Sequence, residues 1–251
     1  MSAEHVARRT RPGPARLLVG LAALAALAAV TTAALTSAKP GVSTPPSALP
    51  RQAGCAAANQ ADSLCIVVLG DSIGVGVPVE GDDRWWPRLR RLLEADMPGR
   101  TIEIDDWAVS GSQVDVLESV ARDQPELPTY DIAIVIEGVN DLVARSVEAW
   151  GPRYEAAVAA MEARDVTVIV TTPPPSFENG TFGSRYDGLA AAVRAMAGPH
   201  RPLLDLATRW RADGPAIAAA YYVDSIHQAL PGQIVMASVA RNAVLQAIGP
   251  K

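Results

Sequence analysis

Five short apolar runs, separated by stretches of helical period, set the pattern of this sequence. The first, Cys65-Ile66-Val67-Val68-Leu69, is uninterrupted and rich in β-branched residues, as a fully buried strand is. A second strand is expected over 101–107, where apolar and polar residues alternate. Ile132-Ala133-Ile134-Val135-Ile136 is the clearest buried strand, Val166-Thr167-Val168-Ile169-Val170 a fourth, and Leu203-Leu204-Asp205-Leu206 a short fifth. Between them the period changes. Apolar residues at 85, 86, 89, 92 and 93 share one helical face, and helices are also expected over 114–120, 147–163 and 189–196. Pro231 sits where a last helix begins, and that helix runs to about residue 248. Residues 97–99, 108–112 and 171–183 read as turns and loops, the last carrying Pro173-Pro174-Pro175.

Alternation of strand and helix five times predicts an α/β fold: a parallel sheet with helices on both faces, in one domain. In a doubly wound sheet of order 2-1-3-4-5, strand 1 lies between strands 2 and 3. The loops leaving these three strands then meet at the carboxyl edge. They carry Ser72, Gly111 and Asn140.

Those residues suit acyl transfer. A serine hydroxyl is a weak nucleophile until a base takes its proton. The base has to be one of three histidines. His5 precedes an apolar run near the N-terminus, and His200 lies before strand 5, at the amino edge. His227 lies after strand 5 and before the last helix, at the same edge as Ser72. Asp224, three residues earlier, can accept its Nδ1 proton and fix the tautomer. The backbone N–H groups of Ser72 and Gly111 and the Asn140 carboxamide are candidate donors to an oxyanion.

Plainer readings compete. Ser72 could cap a helix, Asn140 could form a turn, and Asp205 could replace Asp224 as the acid or simply anchor a loop. Gly70, Gly74 and Gly76 lack the Lys-Ser/Thr pair of a phosphate loop. Asp82-Asp83 and Asp105-Asp106 read as solvated loop carboxylates rather than metal ligands, and Trp85-Trp86 as core rather than a sugar-stacking platform.

Gly70-Asp71-Ser72-Ile73, Gly111, Gly138-Val139-Asn140-Asp141 and Asp224-Ser225-Ile226-His227 resemble, in order and spacing, the four blocks of the SGNH/GDSL hydrolase family. The resemblance spans residues 66–248. It implies a flavodoxin-like three-layer α/β/α fold with a five-stranded parallel sheet, and a serine esterase needing no metal or cofactor. Its nucleophile would be Ser72, its oxyanion donors Ser72, Gly111 and Asn140, and its base and acid His227 and Asp224. Two positions depart from the family pattern: Ile73 stands where leucine is usual, and Asp106 where asparagine is frequent.

Composition adds location and partner class. Of 251 residues, 49% are hydrophobic and 20% charged, enough apolar material for a substantial core. The net charge is −5, yet Glu4, Arg8, Arg9, Arg11 and Arg16 sum to +3, so the remainder carries −8. An acidic body argues against nucleic acid as a partner. The basic flank precedes an uncharged, alanine-rich run over 17–35, which predicts a signal peptide or signal-anchor helix within 1–38. Membrane contact is expected only through that segment, and the remainder is expected outside the cytoplasm, secreted or anchored. Residues 39–61 form a Pro/Ser/Ala-rich tether, and 62–251 the hydrolase domain. Cys55 and Cys65, the only cysteines, are expected to pair in an oxidising compartment.

The expected activity is hydrolysis of short O-acyl esters on an acylated glycan or small molecule. A lipid esterase or lysophospholipase and an acyltransferase are the nearest alternatives. A binding domain that has lost catalysis is the reading from another class.

Overall fold

β1 (Ser63–Gly70) runs through the middle of the sheet, and every residue after Ser63 is buried, as its uninterrupted apolar run requires. The computed structural model describes Cys55 and residues 62–249. The expected targeting segment, and the expected tether apart from Cys55, lie outside the described residues. Among the described residues no helix is long and apolar enough to cross a membrane.

The sheet contains β2 (Thr101–Asp106), β1, β3 (Ile132–Ile136), β4 (Thr167–Thr172) and β7 (Leu203–Asp205), in that spatial order and all parallel. Counting only its strands, the order is 2-1-3-4-5, the doubly wound arrangement. Register places Ile66 beside both Ile104 and Ile132, and Gly70 beside Ile136. Strand 1 is thus flanked by the two strands whose loops carry Gly111 and Asn140.

Helices cover both faces. α2 (Trp85–Asp96) packs against α7 (Leu230–Ala247), whereas α3 (Val114–Asp123) packs against α4 (Val147–Glu162), which also touches α5 (Asp187–Met196). Three buried tryptophans, Trp85, Trp150 and Trp210, fill the space between layers and sheet. Trp85 belongs to the core as expected, while Trp86 beside it is only partly buried. Cys55 and Cys65 are disulfide-bonded, with Cα atoms 5.6 Å apart, which fastens residue 55 to β1.

Three local features differ from the sequence reading. The last strand stops at Asp205, and α6 (Leu206–Ala218) begins at once because the Asp205 carboxylate accepts the Thr208 N–H at 3.0 Å. That helix has no strong apolar period and breaks at Gly214-Pro215, where Gly214 takes φ 75°. The loop over 171–183 contains a small hairpin, β5 (Phe177–Glu178) and β6 (Thr181–Phe182). Asn179 and Gly180 both take positive φ, as a type I′ turn requires. Finally, Asp105 and Asp106 are not solvated loop carboxylates. Asp105 is buried against the Tyr130 hydroxyl and Asp106 is half-buried, because β2 carries both of them into the sheet edge.

Candidate active site

At the carboxyl end of β1 the chain must turn sharply beneath β3. Gly70 takes φ +136°, and a Cβ there would lie 1.8 Å from the Ile136 carbonyl oxygen, so only glycine fits. Asp71 donates its N–H to that same carbonyl at 3.1 Å, and its own side chain caps the next turn, accepting the Ile73 N–H at 2.8 Å. Ser72 is thereby made the first residue of the short helix α1 (Ser72–Val75), partly exposed, with no intrahelical acceptor for its N–H.

Two neighbouring loops close round this turn. After β2, Val109 donates to the Gly70 carbonyl at 2.8 Å and Ser112 donates to Val109 at 2.9 Å. Gly111, between them, takes φ +81°, is exposed, and has nothing within 4 Å of where a Cβ would stand. After β3, Asn140 gives one amide hydrogen of Nδ2 to the Ser112 carbonyl at 3.0 Å. Its other hydrogen has only a 3.5 Å approach to Asp71, too long to hold it.

The fourth stretch lies between α6 and α7. Val223 donates to His227 at 3.0 Å and Ala229 to Tyr221 at 2.8 Å, which folds the segment back on itself. The Asp224 carboxylate accepts the N–H groups of Ile226 and His227, both at 2.7 Å, and meets His227 Nδ1 at 2.8 Å. The opposite ring nitrogen, Nε2, lies 2.9 Å from Ser72 Oγ. With Nδ1–H donated to Asp224, the Nε2 lone pair is left to accept the serine proton. Ser72, Gly111, Asn140, Asp224 and His227 therefore all stand at one edge of the sheet. His200 is exposed at the opposite edge, beside a cleft of about 560 Å³, and His5 lies outside the described residues. A larger cleft of about 1170 Å³, lined by Arg100, Tyr130 and Asp131, is also at the amino edge. It is remote from this chemistry.

Residues 68–233 match the GDSL-like lipase/acylhydrolase family. The chain belongs to this family. It is an ester-bond hydrolase. Among solved structures it resembles the acetyl xylan esterase AlAXEase, with 17% identity, a TM-score of 0.59, and 71% of this chain and 99% of that one covered. A lipase/acylhydrolase from Enterococcus faecalis is similar at 18% identity and TM-score 0.61, over 75% and 99% of the two chains. A variant of an acetyl-xylooligosaccharide esterase from a Geobacillus species follows at 16% and 0.57, over 76% and 96%. At these identities the likeness is one of fold. No curated protein matches the chain.

The GDSL-family site carries more buried acid than its motifs announce. Burial raises the Asp71 carboxyl well above the usual range, against the N–H groups of Ile73 and Gly74 and the nearby His227. Burial likewise raises Glu137, and the adjacent Asp71 and Asp141 raise it further. Asp141 is pushed up to about 6, again chiefly by burial, although it accepts the Val114 N–H and faces Arg145. Asp106 also rises to about 6 on burial. Asp224 differs: partial burial works to raise it, but the N–H groups and ring of His227 and the Ile226 N–H outweigh that and hold it low. Among the described residues, no group of three or more His, Cys, Asp or Glu is placed to hold a metal ion.

Two residues of this GDSL-family site were not singled out in the sequence. Gln233, fully buried in the first turn of α7, accepts the Trp85 N–H at 3.0 Å and donates to the carbonyls of Gly76 and Gln228, both at 3.2 Å. It ties the turn after Ser72 to the residue after His227. Glu137, 3% exposed, ends the best strand, and a charge closing so apolar a run was its available signal.

Proposed function

We propose that this chain is an extracytoplasmic serine esterase that removes short acyl groups, acetyl first among them, from a carbohydrate. The observation that carries the reading is the relay from Asp224 through His227 to Ser72, with separations of 2.8 and 2.9 Å. His227 takes the Ser72 proton as Oγ attacks the ester carbonyl. Negative charge moves to the carbonyl oxygen, where the N–H groups of Ser72 and Gly111 and the free amide hydrogen of Asn140 receive it. Collapse breaks the bond to the alkoxide oxygen, which takes from His227 the proton that came from Ser72 and leaves as the alcohol, and an acyl-enzyme remains on Ser72. Water, deprotonated by His227, then releases the acid and restores the hydroxyl.

Support for a short acyl group comes from how little chain the β5–β6 ladder adds beside His227: four residues, joined to Ser225 through the Phe177 N–H at 2.9 Å. Two of the similar structures are esterases of acetylated xylan or xylo-oligosaccharides. The bonded cysteines and the basic, then apolar, N-terminal sequence support a place outside the cytoplasm. Exposed Val143 and Val223, close in sequence to Asn140 and Asp224, favour the second reading, a lipid ester.

Hydrolysis of aryl esters from acetate to palmitate, alongside acetylated xylo-oligosaccharides, decides between them. The proposal expects kcat/KM to be greatest for acetate and to fall with chain length. Ser72→Ala should lose about 10⁴-fold or more. A preference for long chains would overturn the short-acyl assignment.

A further inference from the structure

Ser112 is the junction of the two loops that bring Gly111 and Asn140 to Ser72. Its carbonyl takes the Asn140 amide hydrogen at 3.0 Å and its N–H is given to Val109 at 2.9 Å. Its hydroxyl touches two oxygens at once, the Gly70 carbonyl at 2.9 Å and Glu137 Oε2 at 2.7 Å. The second oxygen of Glu137 accepts the Gly138 N–H at 3.0 Å.

Counting hydrogens fixes how this cluster is wired. Two oxygen–oxygen contacts of hydrogen-bond length are both full hydrogen bonds only with two hydrogens, and the serine hydroxyl has one to give or to share. A carbonyl has none to give, so a second hydrogen can come only from the carboxyl group. An ionised Glu137 would face Ser112 with one contact lacking any proton between its oxygens. It would also sit buried near two further carboxyls, Asp71 and Asp141, beside the Tyr154 phenol, with Ser112 and Gly138 as its donors.

We propose that Glu137 is a positioning residue, held as the neutral acid, that donates its proton to Ser112 Oγ and so commits the Ser112 hydroxyl to the Gly70 carbonyl. The clamp binds the Gly111 loop to the turn that presents Ser72. Through the Ser112 carbonyl it also sets the direction of the Asn140 carboxamide. Glu137 touches no reacting atom. It holds two of the three oxyanion donors at the third. When pH rises enough to ionise Glu137, the proton between it and Ser112 is lost, and the donors lose their registration before the fold does.

This inference rests on the Ser72 esterase reading, and glutamine separates the two. In Glu137→Gln the new amide would donate to Ser112 through nitrogen and accept from Gly138 through oxygen, reproducing the neutral acid without its ionisation. Steady-state kinetics on an aryl acetate across pH, with fluorophosphonate labelling of each variant, make the test. Glu137→Gln should keep kcat within about threefold of the wild type and lose the part of the alkaline decline that belongs to Glu137. Glu137→Ala should lower kcat by between about tenfold and a hundredfold with KM little changed, the loss of one aimed donor being worth about a hundredfold. If Glu137→Ala does not fold by circular dichroism, Ser112→Ala removes the same clamp and should fall in the same range. Infrared difference spectra should show a protonated-carboxyl C=O band in the wild type that Glu137→Gln lacks.

Equal loss in Glu137→Gln and Glu137→Ala would mean that the carboxylate is what matters, and would overturn the proposal. So would wild-type kcat in Glu137→Ala or Ser112→Ala, or absence of the infrared band. A wild type that neither hydrolyses the ester nor takes the label would instead overturn the esterase reading itself.

Discussion

One bond decides which way the Asn140 carboxamide faces. Its Nδ2 meets the Ser112 carbonyl at 3.0 Å, and the reversed amide would set oxygen against oxygen there. The remaining hydrogen is then free for a developing oxyanion. Asn140→Ala is therefore expected to lower kcat for an aryl acetate by about a hundredfold with little change in KM, since the interaction strengthens only as charge develops. An equal rise in KM with kcat unchanged would mean that Asn140 binds ground-state substrate instead. At this scale the sequence was informative where chemistry needs a particular side chain. Of three histidines only one lies beyond the last strand, and an aspartate precedes it by a single turn. It was silent where a residue matters through what it touches. Gln233 bonds to three backbone groups from separate parts of the chain, and nothing in its own neighbourhood of Pro231 and Gly232 announces them.

Elements were legible in proportion to their burial. β3 and β1 are enclosed on both faces and read directly as unbroken apolar runs. α6 was not, because it mixes charged and small residues around only four buried positions, Leu206, Ala207, Trp210 and Ala218. Asp205, weighed above as a possible partner of His227, instead accepts from Thr208, Thr172 and Arg194. Burial works to raise its carboxyl, but these donors, Arg194 foremost, hold it at about 2. A carboxylate held below its usual value contributes stability that is complete above its ordinary pKa of 3.8 and is lost as pH falls through 2. Asp205→Ala should lower Tm at pH 7 by roughly 2–4 °C, about the worth of one N-cap. The gap from the wild type should shrink steadily between about pH 4 and pH 2 in a series of thermal melts. A gap independent of pH would assign the effect to packing alone. The β5–β6 hairpin was hidden for a different reason. Two residues per strand are too few to show a period, and the Asn179-Gly180 turn was the one signal available.

For the molecule as a whole, strand order does most of the organising. With β1 between β2 and β3, three loops from distant parts of the sequence meet at one edge, and the fourth arrives from beyond α6. The alternation of strands and helices foretold that convergence, although the fold-back of 221–229 that aims His227 had no counterpart in the apolar pattern. The opposite edge holds the clefts of about 560 and 1170 Å³ and His200, but none of the relay. Fluorophosphonate labelling followed by peptide mass mapping tests the central claim most directly. The account predicts one phosphonyl group per chain, carried by Ser72, absent in Ser72→Ala and slow to form in His227→Ala. A folded wild type that takes no label, or takes it on another residue, would contradict it.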